Sequence, residues 1–172
     1  MKTLLLLRHA KSDWSNPSQQ DIDRPLNQRG QKSAALIGQW LKQHHIQPEW
    51  AVCSPALRVR ETMMGLHNKL NLPESLIQFD DRLYLASLTT LLDALSQCPD
   101  DMDQILLVGH NPGLEQLLDY LCGPGLPRTS SGKLMTTAAL AQISLPDNWH
   151  QLRPECGKLK QIIRPGDIKE SA

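Results

Sequence analysis

Apolar positions recur along this chain with two periods. Leu4-Leu5-Leu6-Leu7 is a short unbroken run, the length of a strand buried on both faces. Residues 51–54, 76–79, 105–109 and 138–145 read as four more strands, and 159–163 as a last one. Helical spacing fills the gaps. Ile37, Trp40 and Leu41 mark one face of a helix over about residues 28–44, and Val59, Met63, Leu66 and Leu70 mark a second. Leu88, Leu91, Leu92 and Leu95 follow the i, i+3, i+4, i+7 spacing, and Leu114, Leu117, Leu118 and Leu121 repeat it. Alternating strands and helices predict an α/β fold, a three-layer α/β/α sandwich with a central, mostly parallel sheet.

Punctuation agrees with this pattern. Pro48 and Pro73 precede the second and third strands, and Pro112-Gly113 opens the fourth helix. Residues 122–132 hold three glycines and two prolines and read as a surface loop. The polar stretch after Pro165, about 166–172, reads as a loose tail. The connections read as short, with no insertion to fold over a pocket as a lid. The length of 172 residues fits one domain, 1–172.

Charge and cysteines narrow the class. Lys+Arg and Asp+Glu are equal at 18 each, which argues against a general nucleic-acid binder. Cys53, Cys98, Cys122 and Cys156 form no C-x-x-C pair, so neither a zinc site nor a redox motif is signalled. Reduced thiols suit the cytoplasm. Arg8 ends the first leucine run well short of a signal-peptide core, and no stretch is long enough to span a membrane. The expectation is a cytoplasmic monomer with no nucleic-acid or membrane partner.

Candidate chemistry lies at strand ends. The first strand ends at Arg8-His9, the second at Ser54-Pro55 with Arg58 one helical turn on, and the fourth at Gly109-His110-Asn111. In a parallel arrangement these ends share one edge, where open α/β sheets bind ligands. Two histidines, two arginines and two helix starts would there form an anion pocket. Arginines hold phosphoryl oxygens by charge-assisted bonds. A neutral imidazole attacks phosphorus when its other ring nitrogen is oriented by the backbone. Such a reaction needs no metal and no organic cofactor. Taken singly, His110 also reads as a capping residue and Arg58 as a solvated one.

These segments resemble a known family. Leu7-Arg8-His9-Ala10 resembles the R-H-G signature of the histidine phosphatase superfamily, with Ala10 in place of glycine. Residues 54–62, S-P-A-L-R-V-R-E-T, resemble its S-x-x-x-R-x-x-x-T element, and Val108-Gly109-His110 its second histidine. Arg24-Pro25-Leu26 and Asp81-Arg82-Leu83-Tyr84 resemble segments of its short SixA-type phosphohistidine phosphatases. The resemblance implies the same three-layer fold. It implies His9 as nucleophile, His110 as its partner, and Arg8, Arg58 and Arg24 as phosphate ligands.

Asp81 is the candidate general acid, or else a solvated carboxylate at a strand end. Ser12 either bonds phosphate or caps its own turn, and Asn111 is a further substrate-binding candidate. Lys11 either adds charge near the site or is solvated. Trp14 reads as packing rather than recognition. The implied partner is a histidine-phosphorylated protein or a small phosphorylated substrate. An open pocket favours the protein.

Overall fold

The computed structural model describes residues 1–168. Six strands form one sheet: β1 (Lys2–Arg8), β2 (Trp50–Cys53), β3 (Ile77–Phe79), β4 (Gln104–Gly109), β5 (Leu140–Leu145) and β6 (Lys158–Ile163). Their order is β3-β2-β4-β1-β5-β6. β1, β2, β3 and β4 pair parallel, and β5 runs antiparallel to both β1 and β6. The sheet is therefore mostly parallel, as the alternating pattern predicts.

Four helices cover its two faces: α1 (Gln28–Gln43), α2 (Leu57–Leu70), α3 (Leu88–Ser96) and α4 (Gly113–Cys122). The leucine run explains the layering. Side chains alternate along a strand, so Leu5 and Leu7 pack with Ile37, Leu41, Val59 and Met63 of α1 and α2. Leu4 and Leu6 pack with Leu91, Leu95, Leu114 and Leu118 of α3 and α4 on the other face. All four leucines are fully buried. At roughly 1.5–3 kcal/mol per buried side chain, this run alone anchors both layers.

The structure differs from the sequence reading at several boundaries. Residues 74–76 form a single 3-10 turn, so β3 begins at Ile77 rather than Leu76. β5 begins at Leu140 because Ala138 adopts a positive φ of 60° and leaves the extended region. Pro165–Asp167 form another short turn, and Ile168 packs against the α1–α2 core; the rest of the expected tail lies outside the described residues.

Two connections, 9–27 and 123–139, are longer than expected, and both reach the strand-end edge. Gly30 admits the first of them. A Cβ there would stand 2.1 Å from the Lys11 carbonyl oxygen, so only glycine lets α1 approach this loop. Among the described residues no helix is long and apolar enough to cross a membrane.

Candidate active site

Sheet register brings the two histidines together. Arg8 lies opposite Gly109 in the β1–β4 ladder, so the next residues, His9 and His110, leave adjacent strands side by side. The His9 N–H donates to the Gly109 carbonyl at 3.1 Å, and the ring centroids are 5.3 Å apart. β2 ends one strand further over, where the Ser54 N–H donates to the Val108 carbonyl at 3.1 Å. Ser54 is wholly buried, and its hydroxyl lies 2.7 Å from His110 Nε2.

The tautomers follow from these partners. His9 Nδ1 lies 2.8 Å from the Ala10 carbonyl, which only accepts. Nδ1 therefore carries the proton and Nε2 keeps its lone pair. Arg58 Nη2 lies 3.4 Å from His110 Nδ1, and a guanidinium only donates, so His110 is protonated at Nε2 and donates to Ser54.

Both rings stay neutral. Burial pushes His9 down to about 4, against the Ala10 bond and helped by Arg58, Arg8 and Arg24. Burial, followed by His9 and Arg58, pushes His110 down to about 3.

Three arginines surround this pair. Arg8 donates through Nη1 to the Met135 carbonyl at 3.0 Å, and burial lowers its pKa against the raising effect of Glu115. Arg58 sits in the first turn of α2, almost wholly buried. Arg24 reaches in from the 9–27 connection and donates through Nη1 to Ser12 Oγ at 2.5 Å. The buried Nε of Arg8 and of Arg58 have no protein partner. α2 and α4 both start at this edge without a side-chain cap, and their free N–H groups favour an anion.

Thr62 ties the site together. Its hydroxyl donates to the Arg58 carbonyl at 2.7 Å and accepts the Ala10 N–H at 3.0 Å. Ala10 is fully buried and is absent from the positive-φ residues, so the position after His9 accepts a side chain. Lys11 points to solvent. Trp14 is 69% exposed rather than packed in the core, and Arg24 Cζ sits 3.5 Å above its ring. Asn111 donates to the Met135 carbonyl at 2.8 Å, beside Arg8, while its Oδ1 is buried without a partner.

Asp81 does not join the cluster. It lies on the one-turn helix Asp81–Leu83 with its side chain exposed, and Arg82 pairs with Asp80 instead. The carboxylate that enters the site belongs to Asp21, on the turn Asp21–Asp23. Burial would raise Asp21, but bonds from Tyr84, Arg24 and Arg58 outweigh it and hold the acid at about 2. The sequence signal for Asp21 was its position three residues before Arg24, which lets both meet across one turn. Tyr84 joins Asp21 through its hydroxyl and lies edge-on to His110, with ring centroids 5.5 Å apart. Met135 contributes only backbone, for which no sequence signal exists.

Two neutral histidines and three arginines at the carboxyl edge of a mostly parallel sheet make a cationic pocket suited to a phosphoryl group. Residues 4–84 match the model of the histidine phosphatase superfamily (branch 1). Phosphohistidine phosphatase SixA of Escherichia coli (strain K12) is 27% identical over 169 residues, covering 93% of this chain and 99% of its own.

Two solved structures share the fold over nearly the whole length. One is the protein histidine phosphatase SixA complexed with tungstate, at TM-score 0.79 and 24% identity, covering 97% of this chain and 99% of that one. The other is a candidate SixA of Nakamurella multipartitia, at TM-score 0.81 and 25% identity, covering 95% and 96%. Over nearly its whole length the chain is similar to SixA phosphohistidine phosphatases, and within residues 4–84 to the histidine phosphatase superfamily.

Proposed function

We propose that this protein hydrolyses phosphohistidine on a cytoplasmic phosphotransfer protein, by way of a phosphoryl group carried on His9. One observation carries the reading. His9 donates its Nδ1 proton to the Ala10 carbonyl, so Nε2 meets the arginine-lined pocket as an uncharged nucleophile.

The steps balance. Nε2 attacks phosphorus, the P–N bond to the substrate ring breaks, and that ring departs as neutral imidazole with a proton it already carries. Arg8, Arg24 and Arg58 offset the charge on the transferring oxygens. Water then attacks the phosphoryl group on His9 and the P–Nε2 bond breaks, releasing inorganic phosphate and restoring the lone pair. His110 supports this second step. It is a neutral ring beside His9 that steadies the transferring group, while the water's protons leave on the phosphate.

The acid requirement supports the substrate class. An alkoxide leaving group needs a proton from the enzyme, and the carboxylate in the cluster is an ionised one with both oxygens already bonded. Imidazole titrates near neutrality, so a phosphohistidine leaving group brings its own proton.

The test is an activity panel run with chelator present. It compares a histidine-phosphorylated phosphotransfer protein with common sugar and nucleotide phosphates. The expected result is metal-independent phosphate release with preference for the phosphoprotein. Preference for a metabolite would move the assignment to a small-molecule phosphomonoesterase on the same site.

A further inference from the structure

Asp21 makes more connections within the site than any reading of the sequence gives it. Its Oδ1 accepts from Arg24 Nε at 3.1 Å and from Arg24 Nη2 at 3.0 Å. Its Oδ2 accepts from Arg58 Nη2 at 3.0 Å and from the Tyr84 hydroxyl. Its backbone carbonyl accepts from Arg58 Nη1 at 2.7 Å. One residue thus fixes both ends of the Arg58 guanidinium, one edge of Arg24, and the tyrosine that packs on His110.

The arginine side chains need this partner. They are 8% and 3% exposed, so two like charges share a nearly dry site. Buried charges of one sign are tolerated only beside a counter-charge. The donors that Asp21 does not take are equally informative. Arg58 Nε is buried without a partner, as is Arg8 Nε. A buried N–H without an acceptor is costly, and an incoming phosphoryl oxygen is the group that would relieve it.

We propose that Asp21 is a positioning residue for phosphoryl transfer: it holds Arg24, Arg58 and Tyr84 from behind and leaves the remaining arginine donors for the phosphoryl group. Asp21 does not act as the acid, because both its oxygens are acceptors in these bonds. Nor does it occupy the phosphate's place, because the unpaired donors lie on nitrogens it does not touch. The proposal rests on phosphoryl chemistry at this site, and not on which phosphorylated molecule is the substrate.

Two readouts test it in Asp21→Ala, Asp21→Asn and Asp21→Glu. Calorimetric binding of inorganic phosphate requires no turnover, so it decides the proposal even if the substrate class is wrong. Steady-state assays with a small phosphoramidate give kcat and KM separately. Asp21→Ala is expected to weaken phosphate binding by about tenfold or more and to lower kcat/KM by more than that.

Asp21→Asn keeps one acceptor and is expected to lose less, and Asp21→Glu to recover part of the affinity. Added formate, a carboxylate small enough for the vacated space, is expected to restore part of the Asp21→Ala activity. A merely structural defect would not respond to it. Tighter phosphate binding in Asp21→Ala or Asp21→Asn would overturn the proposal, because it would make Asp21 a competitor. Unchanged phosphate affinity in a folded variant would overturn it too. If Asp21→Ala does not fold, the near-isosteric Asp21→Asn carries the decision by the same criteria.

Discussion

The Ala10 amide donates to Thr62 Oγ1 at 3.0 Å, joining the loop that carries His9 to the helix that carries Arg58. The same hydroxyl donates to the Arg58 carbonyl, so one side chain holds the His9 loop and Arg58 in a fixed relation. Thr62→Val keeps the shape and removes the hydroxyl. It leaves the buried Ala10 N–H unpaired, which costs about 1–3 kcal/mol. The expected outcome is that loss in denaturant unfolding, together with a fall in kcat at little change in secondary structure. Thr62→Ser is expected to retain most of both. A Thr62→Val enzyme of wild-type stability and rate would contradict the role.

Asp21 and Asp81 separate the two acidic residues nearest the question of mechanism. Asp81 is exposed on its turn, so Asp81→Asn is expected to leave kcat/KM for a phosphoramidate within about twofold of wild type, as surface substitutions generally do. A loss of a hundredfold or more in this variant would restore Asp81 as general acid and place it in motion toward the site during turnover.

The histidines give stability a defined pH dependence. An unfolded histidine titrates near 6.5. In the folded protein burial holds His9 at about 4 and His110 at about 3. As pH falls below 6.5 the unfolded chain binds protons that the folded one refuses. Their contribution is therefore complete above about pH 6.5 and is lost as pH falls toward those lower values. The slope reaches about 1.4 kcal/mol per pH unit for each histidine. Tm is expected to fall between pH 7 and pH 4.5, and to fall less in the His9→Asn, His110→Asn double variant. Equal slopes would contradict the buried neutral pair. Asp21, held at about 2, acts below this window.

Much of this site was readable from the chain. Leu4 to Leu7 announced a two-sided strand because burial on both faces leaves no polar position in the run. Parallel pairing then made Arg8-His9, Arg58 and His110 neighbours. What was not readable lay in the long connections. Whether Asp21 or Asp81 reaches the arginines depends on how residues 9–27 fold back over the sheet edge. That path is set by tertiary contacts such as Gly30 against Lys11, with no period to reveal it. Met135 was hidden for a different reason, since its carbonyl rather than its side chain holds Arg8 and Asn111. Trp14 misled because indole usually packs inside; here it covers Arg24 from the solvent side.

On the proposed mechanism, His9 Nε2 carries the phosphoryl group between substrate and water. The direct measurement is rapid mixing with a phosphorylated substrate, an alkaline quench that preserves phosphohistidine, and mass spectrometry of the peptides. One transient phosphoryl group is expected, on His9, formed and lost at rates compatible with turnover. No such species and no turnover are expected in His9→Ala. Phosphate release by His9→Ala at the wild-type rate, or a transient phosphoryl group on another residue, would contradict that mechanism.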